Sequence, residues 1–392
     1  MRILSLTNQI SFQKEMERIG CDPAAFPIFQ KKLEVIPIKT DLLTCASVNI
    51  LKQVALSVGA DCVIPREIIT GRKRKGEGII LATRRQYENI IQKLQCQYPE
   101  LKRLAAKIEG FFASRNWRLV FREKTYDLSQ RTYIMGILNI TPDSFYDGGR
   151  YLTLEKALRR AEEIAEEGAD FLDIGAESSR PGSSPISAKE EINRLRAVLP
   201  VIRQRLKIPI SCDTTKSEVA RFALEEGCEI INDISGLRFD PRIAQIIVRY
   251  NAYCVIMHIK GKPKTMQRNP RYKDLMAEIY SYLEEGIRQA KEKGIAEERI
   301  IIDPGIGFGK KYLDNYEILR RLRELTGLGR PILVGPSRKS FIGLTLNLPP
   351  EERLEGTIAA SVIARLNGAN ILRVHDVKSI KRAMMIVDAT NG

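Results

Sequence analysis

Histidine is scarce in this chain of 392 residues, which contains only His258 and His375. A structural zinc site needs four nitrogen or sulfur ligands, and the seven scattered cysteines form no CxxC pair, so we expect reduced thiols and no zinc. No apolar run approaches the roughly 18 residues of a membrane span, and the first residues lack the pattern of a secretory signal. We therefore expect a cytoplasmic protein with no membrane partner.

A GxGxxG turn after a first strand is also missing, which argues against a dinucleotide-binding domain. The net charge is +15, and residues 1–131 hold 23 basic and 13 acidic residues. The densest basic run extends from Arg72 to Lys75 between two glycines, without interleaved aromatic residues. We predict a solvated loop there, so we expect anionic small molecules rather than nucleic acid as ligands.

From residue 133 onward the chain repeats one pattern eight times, in which a short apolar run ends in a polar residue and a stretch with helical periodicity follows. The polar ends are Asn139, Asp173, Asp213, Asn232, His258, Asp303, Ser337 and His375. Parallel strands buried on both faces read as such runs, and their carboxyl ends meet at the mouth of a barrel. The pattern predicts an α/β protein with a C-terminal (β/α)₈ TIM barrel over residues 132–392 and an active site at its mouth.

The predicted barrel strands cover residues 133–139, 171–174, 210–213, 230–232, 252–258, 300–303, 332–336 and 371–375. Residues 1–125 alternate strand-like runs with helical patterns, which predicts a smaller α/β domain in front of the barrel. This domain contains no histidine and no cluster of catalytic residue types, so its sequence does not indicate a role. The polar, aperiodic residues 126–131 are the predicted linker.

Polar side chains occupy the loops after the first two predicted strands, and both loops are long enough to act as lids. Asn139 can offer an amide oxygen to a hard cation or an amide nitrogen to an anion, although such residues also favour self-satisfied turns. Ser179 and Arg180 stand before a Pro-Gly pair. A hydroxyl and a guanidinium suit phosphate oxygens, and a mobile polar loop without a ligand is the alternative.

Acidic or amide residues end three further strands, at Asp213, Asn232 and Asp303. A carboxylate that faces the barrel cavity can accept two parallel hydrogen bonds from the edge of a pterin or guanine-type ring. Such residues can also cap the helix that follows them. The glycines of DPGIGFGKK let a flat ring approach the backbone, and Phe308 offers an apolar wall.

Cations occupy the ends of the last two predicted strands. Lys339 and Ser340 follow the seventh strand, and Arg373 and His375 end the eighth. Because residues two apart on a strand face the same way, Arg373 and His375 can meet one anion. An inward arginine is costly unless it is paired, which favours a functional role, and this region of TIM barrels often binds phosphate.

Eight motifs from residue 133 to the C-terminus occur in an order that resembles the dihydropteroate synthase family. They are MGILNITPDSFYDGG, DIGAESSRPGS, CDTTKSEVA, INDISG, MH followed by GKPKTMQ, DPGIGFGK, GPSRKSFIG and RVHDV. The resemblance implies a transferase of folate biosynthesis that joins 6-hydroxymethyl-7,8-dihydropterin diphosphate to para-aminobenzoate by an S_N1-like path. It also implies Mg²⁺ as a cofactor and, by analogy with related barrels, a homodimer.

The resemblance also implies a role for each site residue. The pterin would be held by Asp213, Asn232, Met257, Asp303 and Lys339. The diphosphate would be held by Asn139, Arg180, Arg373 and His375, with Asn139 also on Mg²⁺. The para-aminobenzoate pocket would comprise Phe145, Ser179, Arg180, Pro181, Phe308 and Ser340. The implied catalytic residues are Asp213, Lys339, Arg373 and His375.

The chain departs from the family pattern at Ser179, where members often have threonine, and at Ile259 and Lys260, where MHIKG replaces the more usual MHMQG. Two other functions remain open at this point. A related class of barrels transfers methyl groups from methyltetrahydrofolate to a corrinoid protein and shares an acidic pterin pocket, although the SRK and RVHD segments suit a diphosphate. The non-enzymatic alternative is a basic first domain that binds nucleic acid or a partner, joined to a barrel that serves as a sensor.

Overall fold

The computed structural model describes residues 9–113, 117–122, 124–140, 150–178 and 182–391. The chain divides into two compact units, residues 1–114 and residues 115–390. The boundary between the units therefore lies before the predicted linker at 126–131. A hairpin that begins before this stretch and ends inside it belongs to the second unit. No helix among the described residues is both long and apolar enough to span a bilayer.

The first unit combines small antiparallel sheets with helices. Its helices are α1 (Gln9–Arg18), α2 (Phe26–Gln30), α3 (Cys45–Leu56), α4 (Arg66–Ile69), α5 (Arg84–Gln95) and α6 (Pro99–Phe112), and its strands are β1 (Val35–Lys39), β2 (Leu43–Thr44), β3 (Asp61–Val63), β4 (Lys75–Gly76) and β5 (Ile79–Thr83). Strands β1, β5 and β3 pair in that order, all antiparallel. Alternate strand residues such as Ile38 and Ile80 are buried with Leu51, Tyr87 and Leu101 of the helices, as a strand period of two requires.

The second unit is an eight-stranded parallel barrel preceded by a hairpin. The hairpin is β6 (Arg118–Phe121) and β7 (Lys124–Asp127), and the barrel strands are β8 (Tyr133–Asn139), β9 (Phe171–Gly175), β10 (Ile210–Asp213), β11 (Ile230–Asp233), β12 (Tyr253–Met257), β13 (Ile300–Asp303), β14 (Leu333–Val334) and β15 (Ile371–Val374). A parallel bridge between Ile302 and Ile332 joins β13 to β14 and closes the ring. The predicted fold class is confirmed. Strand β14 is shorter than predicted because Pro336, which has no N–H to donate, follows it closely.

Helices surround the barrel and bury the outer faces of its strands. They are α7 (Arg150–Glu166), α8 (Ala188–Arg205), α9 (Ser217–Glu225), α10 (Ile243–Arg249), α11 (Leu275–Glu292), α12 (Tyr312–Arg321), α13 (Ser340–Leu346), α14 (Leu354–Leu366) and α15 (Val377–Asn391). Ser187 caps α8 by accepting a hydrogen bond from Glu190 N at 3.2 Å, and Asp274 caps α11 in the same way. Leu172 and Ile174 of β9 pack outward into the helical layer.

The hairpin covers the amino-terminal end of the barrel. Phe121, Tyr126 and Leu128 are buried there with Phe171 and Tyr253, and the ring centroids of Phe121 and Tyr253 lie 4.8 Å apart. Residues 126–131 are therefore not a free linker, since Tyr126 and Leu128 contribute to the barrel core. With this end closed, a ligand can approach the barrel from its carboxyl-terminal mouth.

Candidate active site

A largely buried arginine lies between two carboxylates at the floor of the barrel mouth. Arg373 donates from Nε to Asp173 Oδ2 at 2.5 Å and from Nη2 to Asp213 Oδ2 at 2.8 Å. The side chain of Asp173 is fully buried, and those of Arg373 and Asp213 are 17% and 12% exposed. Because an unpaired buried charge is costly, these ion pairs hold all three side chains in one orientation.

Asp173 connects this cluster to Asn232, whose Nδ2 donates to Asp173 Oδ2 at 3.2 Å. The other carboxylate oxygen, Asp173 Oδ1, is buried without a hydrogen-bond partner among the residues that the structure describes. From the sequence, Asp173 was predicted only to end an apolar run and was given no role. The strand in fact continues to Gly175, so Asp173 lies in its middle. An acidic residue inside an otherwise apolar strand was the signal that could have identified it.

Asp303, at the end of β13, begins a glycine-rich loop that folds closely against the neighbouring strand. Asp303 Oδ1 accepts a hydrogen bond from Gly305 N at 2.7 Å. Gly305 has a φ of +67°, and a Cβ at this position would lie 1.9 Å from the carbonyl oxygen of His258. Only glycine fits this close approach, which fixes the course of the loop.

Lys339 enters the same site from the loop after β14. A Cβ at Gly307 would lie 3.1 Å from Lys339 Cδ, so the lysine stem passes directly along the glycine loop. Lys339 Nζ lies 4.3 Å from the ring centroid of Phe308, a cation–π contact. Its ammonium also interacts electrostatically with Arg373 and Asp303. The lysine therefore belongs to the same cluster of charges as the floor.

Burial favours the neutral form of three of these charged groups. It raises the pKa of Asp213 to about 7, against the opposing charge of Arg373. It raises the pKa of Asp303 to about 6, against the hydrogen bond from the backbone of Gly305. Burial and the positive charge of Arg373 lower the pKa of Lys339 to about 8. Groups that titrate near neutral pH in a cleft are typical of functional sites.

An apolar cluster forms one wall beside this charged floor. Its buried members are Ile234, Met257, Ile259, Met266 and Phe308. The buried Lys310 lies under the wall, with Nζ 2.8 Å from His258 Nδ1 and 3.0 Å from the carbonyl oxygen of Phe308. These contacts hold the Phe308 segment in place. The combination of a polar floor and a flat apolar wall suits a planar ring with a polar edge.

His375 lies just beyond the last residue of β15, the strand that pairs with β14 on one side and β8 on the other. Its backbone N–H donates to Ser337 Oγ at 3.2 Å, and its Nδ1 lies 3.0 Å from the same oxygen. The Ser337 hydroxyl can therefore donate to Nδ1, which leaves the ring proton on Nε2. Burial, with the charge of Arg373, lowers the pKa of His375 to about 3. With the Ser337 hydroxyl as the donor to Nδ1, the neutral imidazole offers a single Nε2–H donor.

Asn139 ends β8 beside the floor. A Cβ built on the neighbouring Gly175 would lie 3.7 Å from Asn139 Oδ1 and 3.5 Å from Asp213 Cβ. The Asn139 amide and the Asp213 carboxylate thus share one small region of the mouth. Ser340, in contrast, is exposed as the first residue of α13.

Several predicted residues lie outside the described part of the chain. These are Phe145, Ser179, Arg180 and Pro181. Within the described part, no group of three His, Cys, Asp or Glu side chains is arranged to hold a metal ion. The predicted pterin residues and Arg373, His375, Asn139 and Phe308 all lie at the carboxyl end of the barrel.

Comparisons with known proteins agree with this geometry. The profile of a family described as pterin binding enzyme matches residues 135–375. A dihydropteroate synthase of Synechocystis is 46% identical over 265 residues, which are 67% of this chain and 92% of the relative. The crystal structure of the Xanthomonas albilineans dihydropteroate synthase with 4-aminobenzoic acid is 40% identical, with a TM-score of 0.66, over 71% of this chain and 99% of that one.

One relative extends the similarity into the first unit. A probable bifunctional folylpolyglutamate synthase/dihydropteroate synthase of Halobacterium salinarum is 38% identical over 347 residues. The match covers 87% of this chain and 41% of the relative. The barrel alone makes up only about two thirds of the chain, so part of the first unit is included in the match.

Proposed function

Because the chain belongs to the family of pterin-binding enzymes represented by the dihydropteroate synthases, we propose that its barrel joins 6-hydroxymethyl-7,8-dihydropterin diphosphate to para-aminobenzoate. The products are 7,8-dihydropteroate and diphosphate. The chain is thus a transferase of this family. Relatives from Synechocystis, Escherichia coli, Bacillus subtilis and Haemophilus influenzae, with 41% to 46% identity, are named as dihydropteroate synthases, which favours this activity over a corrinoid methyltransferase.

The polar edge of the pterin would bind to the acidic floor. Asp213 and Asp303 supply carboxylate oxygens that accept hydrogen bonds from the amino group and ring N–H, and Asn232 supplies an amide. Lys339 would donate to a ring acceptor. Met257 and Phe308 would pack against the faces of the ring. The support for this arrangement is the burial of Asn232 and Asp303 and the electrostatic interaction of Lys339 with Asp303 and Asp213.

Arg373 has enough N–H donors to keep its ion pairs with Asp173 and Asp213 and also to bind the diphosphate. A guanidinium has five N–H groups, and the two ion pairs formed within the described residues use one on Nε and one on Nη2. The N–H groups that remain can meet a diphosphate oxygen, as can Nε2–H of His375. Arg180 would add a further cation from the second loop.

The site can bind Mg²⁺ when the diphosphate supplies some of the oxygen ligands. Mg²⁺ usually binds one or two protein oxygens together with phosphate oxygens and waters. Asn139 Oδ1 is such an oxygen and lies beside the floor. We propose that Asn139 would hold the ion, which when bound would neutralise part of the charge of the leaving diphosphate.

The second substrate would enter between the loops above the pterin. We assign Phe145, Ser179, Arg180 and Pro181 to its pocket, together with Phe308 and Ser340. This assignment rests on the motifs that the sequence shares with the family. An aromatic amine is neutral at pH 7, so its nitrogen needs no general base before it attacks.

The reaction we propose is S_N1-like. The bond between the pterin methylene carbon and the diphosphate oxygen breaks, and the diphosphate leaves with the electron pair. The amine nitrogen then bonds to the methylene carbon and releases a proton. Arg373 and His375 stabilise the leaving group, while the negative charge of Asp213 favours the cationic pterin. Closed loops would exclude water, which would otherwise capture the cation.

The observation that carries this proposal is the single cluster formed by Asp173, Asp213 and Arg373 beside Lys339. A turnover assay with the pterin diphosphate and para-aminobenzoate tests it. We expect Asp213→Asn to reduce kcat by about 100-fold or more, because the charge that acts on the transition state is lost. Asp170→Asn is the matched control, since Asp170 is a buried, ion-paired carboxylate just before β9, at the closed end of the barrel. Equal kcat values for the two variants, or a wild-type protein without turnover, would contradict the proposal.

We further propose a cytoplasmic homodimer. The last two barrel helices expose four large apolar side chains, which are Ile363, Leu366, Met385 and Ile386. An ion pair of 2.9 Å between Arg365 and Asp388 joins these helices. Exposed apolar residues grouped in this way are typical of subunit interfaces. Light scattering on the purified protein would show a mass of one chain if this part of the proposal is wrong.

A further inference from the structure

A partly buried triad of ion-paired side chains lies beside the proposed catalytic floor and has no part in the chemistry proposed above. Lys216 Nζ lies 2.9 Å from Glu177 Oε2 and 2.6 Å from Glu191 Oε2. The side chain of Glu191 is fully buried, and those of Lys216 and Glu177 are 22% and 18% exposed. Two acidic groups therefore depend on one ammonium in a largely dry environment.

The three members of this triad come from three different segments. Glu177 lies at the start of the second loop, two residues after β9, and Glu191 lies in the first turn of α8, which follows that loop. Lys216 lies three residues after Asp213, directly before α9. The triad thus links both ends of the second loop to the short segment that carries Asp213.

Glu177 also closes the neck of the second loop. Its other oxygen, Oε1, accepts a hydrogen bond from Ile186 N at 2.8 Å, which joins residues on either side of the loop. Ser183 Oγ donates to the carbonyl oxygen of Ser178 at 2.6 Å and reinforces the same neck. The position of this carboxylate therefore sets where the loop leaves and re-enters the barrel mouth.

Burial of the triad makes Lys216 hard to replace. Burial alone would lower the pKa of Lys216, but its hydrogen bonds to Glu177 and Glu191 outweigh that effect and raise the pKa. Burial raises the pKa of Glu191, and Lys216 opposes the rise. Glu191 Oε1 is buried without a hydrogen-bond partner among the described residues. Lys216, which pairs with Oε2, is therefore the cation on which this carboxylate depends. Loss of Lys216 would remove the cation that both carboxyl groups share, and with it the contact that ties Glu177 and Glu191 to the segment carrying Asp213.

We propose that Lys216 is a positioning residue that fixes the second loop relative to Asp213 and so sets the affinity for the aromatic amine. The part of this inference that concerns the amine rests on the proposed function, in which Ser179, Arg180 and Pro181 of that loop form the para-aminobenzoate pocket. Lys216 itself need not touch either substrate. The pterin diphosphate is affected less than the amine, because its proposed partners lie on the floor of the barrel mouth except for Arg180.

Steady-state kinetics of the full-length protein separate this role from a purely structural one. We expect Lys216→Met to raise the KM for para-aminobenzoate about 10- to 100-fold, because a misplacement of about 1 Å has effects of this size. The KM for the pterin diphosphate should rise clearly less than that for the amine, because only one of its proposed partners, Arg180, belongs to this loop. Lys216→Arg, which keeps the charge, should restore most of the affinity.

Lys381→Met is the matched control. Lys381 Nζ pairs with Asp170 at 3.2 Å, and its side chain is 24% exposed, close to the 22% of Lys216. Asp170 lies at the closed end of the barrel, so this variant should lose stability without a change in either KM. Equal effects of Lys216→Met on the two KM values, or an unchanged KM for the amine, would overturn the proposal.

Hydrogen–deuterium exchange tests the positioning without any turnover. The amide of Ile186, bonded to Glu177, should exchange faster in Lys216→Met than in Lys381→Met. Unchanged protection of Ile186 would refute the role of Lys216 even in a protein that lacks the proposed activity. If Lys216→Met does not fold, Glu177→Gln, which keeps an amide oxygen for Ile186, provides the same KM comparison with a smaller expected effect.

Discussion

Replacement of Arg373 by methionine tests the electrostatics of the floor directly. The substitution removes the partner of Asp173, which is fully buried, and of Asp213, which is 12% exposed. Loss of one partner from a buried ion pair costs about 3–5 kcal/mol. We expect a decrease of that size in the free energy of unfolding of the barrel at pH 8.

This loss should depend on pH in a direction that the structure defines. Burial already raises the pKa of Asp213, and Arg373 opposes that rise, so the variant should have a still higher value. A folded carboxyl with a raised pKa binds its proton more tightly than the unfolded chain does, where the pKa is about 3.9. The free energy of unfolding of the variant therefore falls as the pH rises from the unfolded pKa of about 3.9 to the pKa of Asp213 in the folded variant. The wild-type protein loses stability in the same way up to the folded pKa of its own Asp213, about 7. The extra loss of the variant should therefore grow above that pH, by about 1.4 kcal/mol for each pH unit up to its own higher pKa, and be larger at pH 8 than at pH 5.

Denaturant unfolding followed by tryptophan fluorescence measures this difference. Trp117 is the only tryptophan, and its Nε1 donates to the carbonyl oxygen of Gly329 at 3.3 Å, so its signal reports on the barrel unit. Arg131→Met is the control, because Asp170 keeps Lys381 as a partner when Arg131 is lost. That variant should lose about 1 kcal/mol, with little dependence on pH. A loss below about 1 kcal/mol in Arg373→Met, or an equal loss at pH 5 and pH 8, would refute the reasoning.

The titrating floor groups and the closed end of the barrel give two further predictions. The kcat/KM for the pterin diphosphate should fall on the acid side as Asp303 (pKa raised to about 6) and Asp213 (to about 7) gain protons, and on the alkaline side as Lys339 (pKa lowered to about 8) loses its proton. A flat profile between pH 5 and pH 9 would contradict these assignments. Phe121→Ala should lower the free energy of unfolding of the barrel by about 3–5 kcal/mol and leave both KM values unchanged, because Phe121 fills the closed end. A change in either KM would show that the hairpin acts on the mouth.

The barrel was predictable because its strands carry a strong local signal. Strands such as β8, β10 and β13 occupy the predicted residues, since a short, continuous apolar run between helical stretches is typical of a strand buried on both faces. The hairpin strand β7 was missed because Lys124, Thr125 and Asp127 surround a single buried Tyr126. Tyr126 is buried against residues of the barrel strands that are distant in the sequence, such as Phe171, so the local pattern does not indicate its burial.

The sequence predicted which residues lie together at the carboxyl end of the barrel, but it did not predict which of them contact each other. Strand register places Asp213 opposite Asn232 and Met257 opposite Asp303, so their convergence follows from parallel pairing. The ion pair between Asp173 and Arg373 could not be predicted in this way, because the two residues are 200 positions apart and their strands lie on either side of β8. Strand alternation suggested that Arg373 and His375 serve one anion. Strand β15 ends at Val374, however, and the side chain of His375 is set by Ser337 instead.

The pairing of Arg373 with two carboxylates explains how the proposed pterin floor, which is acidic, and the proposed diphosphate site, which is cationic, can lie so close together. Without the guanidinium, Asp213 and Asp303 would be two like charges in a largely dry cavity and would retain their protons, which would remove the acceptors that a pterin edge needs. Without the carboxylates, a buried guanidinium beside Lys339 would be equally unfavourable. Each set of charges stabilises the other, so the two subsites form a single unit. In the proposed reaction, the diphosphate and the pterin would be held at the two ends of one electrostatic network, with the bond that breaks between them.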